Sequence, residues 1–246
     1  MKRLATIILT CCAVNFIGAQ STWENCSTEE FSKTIMAMEQ AVMDKSSYSY
    51  NTDYLFYDQA DSPMPIMQET GLLICDKGET IYIEQFGKTI IQDKNVQVEV
   101  DPVYHTIVLR DPLEAYLKPQ TASDFAALEV PGASVKKKMV GDTKMFYISF
   151  PEGQLYVAAE VTTGGAMGIT KYVLYAKPTT IENEDGKPVQ AQPRMEVTYK
   201  NFLKGDQAKT NQMKHVVDYV SQKGNVFALN LDYQDYELID LRSQPE

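Results

Sequence analysis

Histidine, tryptophan and cysteine are scarce in this chain: 2, 1 and 4 residues out of 246. Neither His105 nor His215 lies in a His-Glu-x-x-His helix or beside a Cys/His cluster. The sequence therefore predicts no zinc centre, and both histidines read as surface or packing residues. Basic residues are also short in supply, with 23 Lys and Arg against 33 Asp and Glu, a net charge of −10. A surface of that sign repels nucleic acid and anionic membranes. Glycine and proline, at 13 and 11, are too few for a collagen-like or low-complexity chain. There is no Gly-x-Ser-x-Gly elbow for a serine nucleophile. The one glycine-rich stretch, Gly164 to Gly168, leads into the strand-like Ile169-Thr170-Lys171-Tyr172-Val173 rather than a helix. It reads as a hairpin turn and not as a phosphate cradle. Asn183-Glu184-Asp185-Gly186 lacks the leading aspartate of a calcium loop, because Ile181 stands there. No cofactor and no metal are expected.

What the chain does have begins with an address. Lys2 and Arg3 precede an apolar run from Leu4 to Val14, and Gly18-Ala19 supplies small residues for cleavage. This is the pattern of a secretory leader, residues 1–19, too short for a membrane span. Its removal takes Lys2 and Arg3 and moves the net charge from −10 to −12. The mature part, 20–246, reads as a single β-rich domain, exported to the periplasm or an equivalent space and not integral to a membrane. Cys26 and Cys75 are the cysteines it retains. In an oxidising compartment they can pair as a disulfide, or stay free as small apolar residues; spacing alone decides neither.

Ser27-Thr28-Glu29-Glu30 has the form of a capping box, and Phe31, Ile35, Met38 and Val42 follow on one helical face. The spacing predicts an amphipathic helix ending near Asp44. The period then becomes two: Tyr48, Tyr50, Tyr54 and Phe56 alternate with polar residues. Strands follow over about 67–75 and 79–86, through Val96, Val98 and Val100, and over 104–110. Proline-bounded residues 111–134 interrupt them, with Thr121 to Leu128 as one or two helical turns. Strands resume at 135–140, 144–150, 154–161, 169–177 and 194–202, with 177–193 as an exposed hairpin loop. Met213, Val216, Val217 and Val220 predict a second helix stopped by Gly224, and Phe227, Leu229, Leu231 and Tyr233 a last strand. The expected class is α+β: a curved, mostly antiparallel sheet, an incomplete barrel, with an N-terminal and a later helix packed on it.

An exported chain with an amphipathic first helix, a tyrosine-rich strand, and a meander through Gly71-Leu72-Leu73-Ile74 and Gly78-Glu79-Thr80-Ile81-Tyr82 resembles the periplasmic lipoprotein-carrier (LolA/LolB-like) superfamily. The resemblance spans about residues 28–112 and rests on the order of elements. It implies a half-open barrel closed by helices, with acyl chains held in the apolar space between. The expected function is then a non-enzymatic envelope protein that binds a lipid, acyl chain or lipoprotein. Phe31, Ile35, Met38 and Val42 would face Tyr48, Tyr50, Tyr54 and Phe56 across the ligand. The alternative is an envelope adaptor with the same fold and a filled core. A carboxylate-based hydrolase is the third, since acids are numerous and their pairing depends on the fold. N-terminal sequencing of the exported protein is expected to begin at Gln20; an intact Met1 on exported protein would refute the leader.

Overall fold

Alternating apolar residues along most of the chain become strands, and the order in which those strands pair shapes the molecule. The structure is a computed structural model and describes residues 22–42, 46–113, 131–164, 168–182 and 185–243. The leader, Thr121 to Leu128 and the centre of the glycine turn lie outside those residues.

Strand β1 (Glu24–Cys26) precedes helix α1 (Thr28–Val42). A meander follows: β2 (Tyr48–Tyr57), β3 (Met67–Asp76), β4 (Thr80–Gln85), β5 (Lys88–Gln92), β6 (Gln97–Asp101) and β7 (Thr106–Arg110). A second run comprises β8 (Ser134–Val140), β9 (Thr143–Ser149), β10 (Tyr156–Gly164) and β11 (Gly168–Ala176). After a small exposed ribbon, β12 (Thr179–Glu182) and β13 (Pro188–Ala191), comes the long β14 (Arg194–Lys204). The ribbon is the hairpin expected over 177–193. The C-terminal segment carries a one-turn helix α2 (Val216–Tyr219), a ribbon of β15 (Val220–Lys223) and β16 (Val226–Leu229), and β17 (Glu237–Asp240).

Among the described residues these strands form one sheet of thirteen, in the order β1-β8-β9-β10-β11-β14-β2-β3-β4-β5-β6-β7-β17. The first meander spreads outward from β2. The chain then crosses to the opposite edge and works back until β14 pairs with β2. The edge strands β1 and β17 do not pair with each other, so the sheet stays open. A sheet this wide curls under the right-handed twist of its strands. One pair departs from the antiparallel pattern: β17 runs parallel to β7.

Both faces of the first meander are buried. Leu73, Cys75, Ile81, Ile83 and Ile90 belong to the core that includes α1. Their neighbours Ile74, Tyr82 and Ile91 point the other way, into a second core with Val98, Ile107 and Leu109. Met213, Val216, Tyr219, Val220 and Phe227 of the C-terminal segment cover this second core. Two-sided burial explains why Leu72-Leu73-Ile74-Cys75 and Ile81-Tyr82-Ile83 are continuous apolar runs rather than alternating ones.

Two elements differ from the sequence reading. The second helix is a single turn, capped by the His215 N–H donating to Asp218 Oδ2 at 2.7 Å. The chain then leaves helical geometry, and Val220 pairs with Leu229 in a ribbon. Three valines in five residues are stiff at χ1 and poor helix formers, and a cross-strand partner is available to them. Gly224, at φ 63°, makes the ribbon's turn instead of ending a helix. Val217 is exposed, so the stripe does not form one buried face. The strand expected over Phe227 to Tyr233 stops at Leu229; Leu231–Tyr233 is a 3-10 turn with Leu231 in water, and the chain's last strand is β17.

The sequence reading also passed over β5. Its hairpin turns on Phe86 and Gly87, both with positive φ, and an aromatic residue there gives no turn signal. Phe86 is held in that conformation by packing on Tyr54, with ring centroids 4.8 Å apart.

Gly71 sits where three neighbours converge. A Cβ there would lie 3.1 Å from both the Glu84 carbonyl oxygen and Thr52 Oγ1, and 3.3 Å from Tyr54 Cε2. Gly71→Ala is therefore expected to lose about 1–3 kcal/mol of stability by overpacking. Urea unfolding measures it; a neutral result would mean that β2 and β3 can separate freely at this point.

Candidate apolar binding face

Helix α1 starts as its sequence requires. The Glu30 amide donates to Ser27 Oγ at 3.0 Å, and the Phe31 amide to the Ser27 carbonyl at 3.1 Å. Glu29 and Glu30 occupy the positive end of the helix dipole. Phe31 and Ile35 are buried, at 3% and 4% exposure, and each contributes about 1.5–3 kcal/mol by leaving water. Met36 is exposed on the other side. The side chains of Met38 and Val42 lie outside the described residues.

The helix does not rest mainly on the strand that follows it. It packs against β8 and β11, and Phe31 meets Phe146 of β9 edge to face, with centroids 5.0 Å apart. The cause lies just upstream. Cys26 pairs with Val135 at the sheet edge, which leaves a single residue before the helix begins over β8. Lys137 of β8 completes the attachment, its Nζ 2.6 Å from Glu30 Oε1. That ammonium holds the Glu30 carboxyl below the usual carboxylate range, and the carboxylate in turn raises Lys137.

Tyr48 and Tyr50 nonetheless share one buried cluster with Phe31 and Ile35. The two tyrosine rings are nearly parallel, 6.4 Å apart. Tyr50 meets Tyr199 of β14 edge to face at 5.5 Å, and Tyr199 lies 6.1 Å from Tyr172 of β11. The result is an aromatic row crossing the seam between the two halves of the sheet. Tyr54 packs at the margin of the cluster. Phe56 is outside it, and its ring, like that of Tyr54, lies tilted against Phe86. Sequence periodicity placed Tyr199 on a strand face, but which strand it would join was invisible: it sits beside β2, more than 140 residues away.

Both cysteines are free thiols, so the pair considered from the sequence is not joined. The sheet order places six strands between β1 and β3. Each thiol has its own surroundings. Cys26 Sγ donates to the Ser27 carbonyl at 3.4 Å, and burial, reinforced by the Glu30 charge, raises its pKa. Cys75 is fully buried, which raises it too, and its thiol lies against the Tyr48 hydroxyl. Burial, and then that thiol, keeps the Tyr48 phenol protonated far above its ordinary value of 10. Both thiols and the phenol therefore stay protonated at neutral pH.

The two histidines have structural partners. His105 Nδ1 lies 2.9 Å from Asp235 Oδ2 and its ring stacks on Tyr236, while His215 begins α2. Among the described residues no three His, Cys, Asp or Glu side chains converge to hold a metal ion, and no helix is long and apolar enough to cross a membrane.

No family model and no curated protein matches the sequence. In structure the chain is similar to several solved proteins. One is an uncharacterized conserved protein from Thermus thermophilus, at 6% identity over 85% of this chain and 99% of that one, with a TM-score of 0.44. Another is a LolA superfamily protein from Nitrosomonas europaea, at 9% identity over 74% and 97% of the two chains, TM-score 0.31. A DUF1329 family protein from Desulfovibrio piger matches at 8% identity over 76% and 96%, TM-score 0.35. Likeness at this level concerns the arrangement of strands alone.

The Glu30–Lys137 tether has a predictable pH dependence. The folded pKa of Glu30 is lowered from its ordinary 4.5. Its contribution is therefore complete above that value and is lost as pH falls through the folded pKa. The stability difference between the wild type and Glu30→Gln is expected at about pH 7 and should shrink as the pH falls below the ordinary Glu value of 4.5, and also with salt. Unfolding titrations above and below that value test this, and a difference unchanged at low pH would rule out the tether.

Proposed function

We propose that this chain is an exported cell-envelope protein that binds an apolar ligand, a lipid, acyl chain or lipoprotein, against the helix-bearing face of its sheet. One observation carries the reading. Sixteen buried sheet residues from nine strands share this face with only two described helix side chains, Phe31 and Ile35. Nine strands at roughly 4.8 Å spacing make a wall about 40 Å across, whereas a helix with its side chains is about 10–12 Å wide. An apolar wall much wider than the helix laid on it is the geometry of a carrier for long apolar molecules. The wall offers shape and burial, and no reactive group is implied, so the reading is of a binding protein rather than an enzyme. Export follows from the leader, and the same reading makes lipid or acylated protein the partner.

A specific observation supports the alternative, an envelope adaptor whose core is filled. Tyr48, Tyr50, Tyr172 and Tyr199 already touch one another and are each 8% exposed or less. If those contacts fill the interior at crystal-like density, no ligand enters.

Thermal unfolding separates the two. With palmitate or a diacylated lipopeptide at about a hundred times its dissociation constant, a carrier gains roughly 2.7 kcal/mol, worth about 5–10 °C for a chain of this size. The melting temperature is expected to keep rising with ligand concentration. A melting temperature that stays flat for every acyl compound tried would overturn the carrier reading and leave the adaptor.

A further inference from the structure

On the helix-bearing face, cross-strand partners form one apolar row that runs out from under the helix. It reads Ile148, Ala159, Leu174, Met195, Phe56, Met67, from β9 through β10, β11, β14 and β2 to β3. Helix α1 rests on β8 and β11, and cover is lost along the row. Ile148 and Ala159 are fully buried, Leu174, Met195 and Phe56 are half-buried, and Met67 is 45% exposed. The loop between β2 and β3 prolongs the row with Met64 and Ile66, 74% and 69% exposed. Phe86, also exposed, joins it through the contact of its ring with Phe56.

The loop is held firmly. The Ile66 amide donates to the Phe56 carbonyl at 2.8 Å, and the Ser62 hydroxyl to the Met64 carbonyl at 3.0 Å. Arg194 donates to the Ala60 and Ser62 carbonyls. Gln59 donates to the Gln190 carbonyl at 3.1 Å and accepts from the Gln192 amide at 3.3 Å. Pro63 and Pro65 fix φ on either side of Met64. So many ties keep Met64 and Ile66 in water rather than folded back on the sheet. A contiguous exposed apolar patch of this kind marks an interaction surface.

Its rim is acidic. Asp58 and Asp61 are exposed in the loop, and Glu69 stands opposite Tyr54. None of the three belongs to an ion pair among the described residues. Cations of the neighbouring strands are committed elsewhere: Lys88 to Glu99 and Asp101, and Arg194 to Glu196 and the loop carbonyls. A methionine-rich patch with an unmet acidic rim fits a partner that is apolar at its centre and cationic at its edges. A bilayer would take water from those carboxylates without supplying a cation. Strands β11, β14, β2 and β3 each pair on both sides, so none offers an edge to an added strand. The partner must satisfy its own backbone, as a helix does. Four strands span about 14 Å, enough to seat a helix about 10–12 Å wide.

We propose that this patch docks a cationic amphipathic helix of another polypeptide, with its apolar stripe on Met64, Ile66, Met67 and Phe86 and its Lys or Arg residues beside Asp58, Asp61 and Glu69. The proposal goes beyond the carrier reading and stands whether or not an acyl ligand is bound.

Fluorescence anisotropy at about 0.15 M salt tests it, with a labelled peptide of about 18 residues carrying Leu on one helical face and Lys on the other. A second peptide has Glu in place of Lys. The mature protein is expected to bind the Leu/Lys peptide, and the Leu/Glu peptide at least about tenfold more weakly. Met64→Ser with Ile66→Ser should weaken binding about tenfold. Asp58→Asn with Asp61→Asn and Glu69→Gln should weaken it about fivefold and flatten its salt dependence. Val103→Ser with Tyr104→Ser removes a comparably exposed apolar pair from the β6–β7 turn and should leave binding unchanged. Equal weakening by that control, equal affinity for the two peptides, or no binding of the Leu/Lys peptide overturns the proposal. Self-association of the wild type that Met64→Ser with Ile66→Ser abolishes overturns it in favour of a second copy of this chain. Phosphatidylcholine vesicles that recruit the wild type and not that variant overturn it in favour of a membrane.

Discussion

The pairing of β14 with β2 is the constraint on which the rest depends. It joins two meanders that are each complete in sequence, and its register runs from Arg194 opposite Tyr57 to Lys204 opposite Tyr48. A slip of one residue would send Tyr50 and Tyr199 to opposite faces and dissolve the aromatic row between them. The ladder closes a separation of about 140 residues, so its loop-closure entropy is met late and by many contacts together. Arg194 secures one end of the seam: its guanidinium stacks on Tyr57 at 3.9 Å and donates to the Ala60 and Ser62 carbonyls at 2.6 and 3.1 Å.

From that seam the two faces of the sheet acquire different roles. The face covered by Met213, Val216, Tyr219, Val220 and Phe227 is closed by local C-terminal chain and anchors the first meander. The other face carries α1 over β8 and β11 and extends far beyond the helix. On β5 and β6 that face also buries two amides, Gln92 and Gln97. Ile81 and Cys75 bury on that face without cost, while Gln97 buries an acceptor that has no hydrogen-bond partner among the described residues.

Local order was legible in the residues. Ser27 and Glu30 marked the helix start, Lys77-Gly78 the β3–β4 turn, and the alternation in 194–202 a strand. The lapses have physical causes. Val216, Val217 and Val220 carry helical spacing, but β-branched residues with a strand partner at Leu229 take the ribbon. Phe86 is a poor turn residue by composition, and the packing of Tyr54 and Phe56 keeps it at positive φ. The helix stripe of Phe31 and Ile35 pointed to an apolar surface without indicating whose, and the tie of Cys26 to Val135 placed it over β8 rather than over β2.

Of the candidate site, Tyr48, Tyr50, Phe31 and Ile35 come together as their periodicity suggested, and Phe56 does not. Their partners Phe146, Tyr172 and Tyr199 were unreadable as neighbours, because strand pairing across more than a hundred residues leaves no local mark. By itself the amino-acid sequence determined what repeats at short range: the period-two faces, the capped first helix, the acidic balance and the class of the fold. Only the tertiary structure decided which faces meet, because a strand's alternation states that one side is buried and is silent about what buries it.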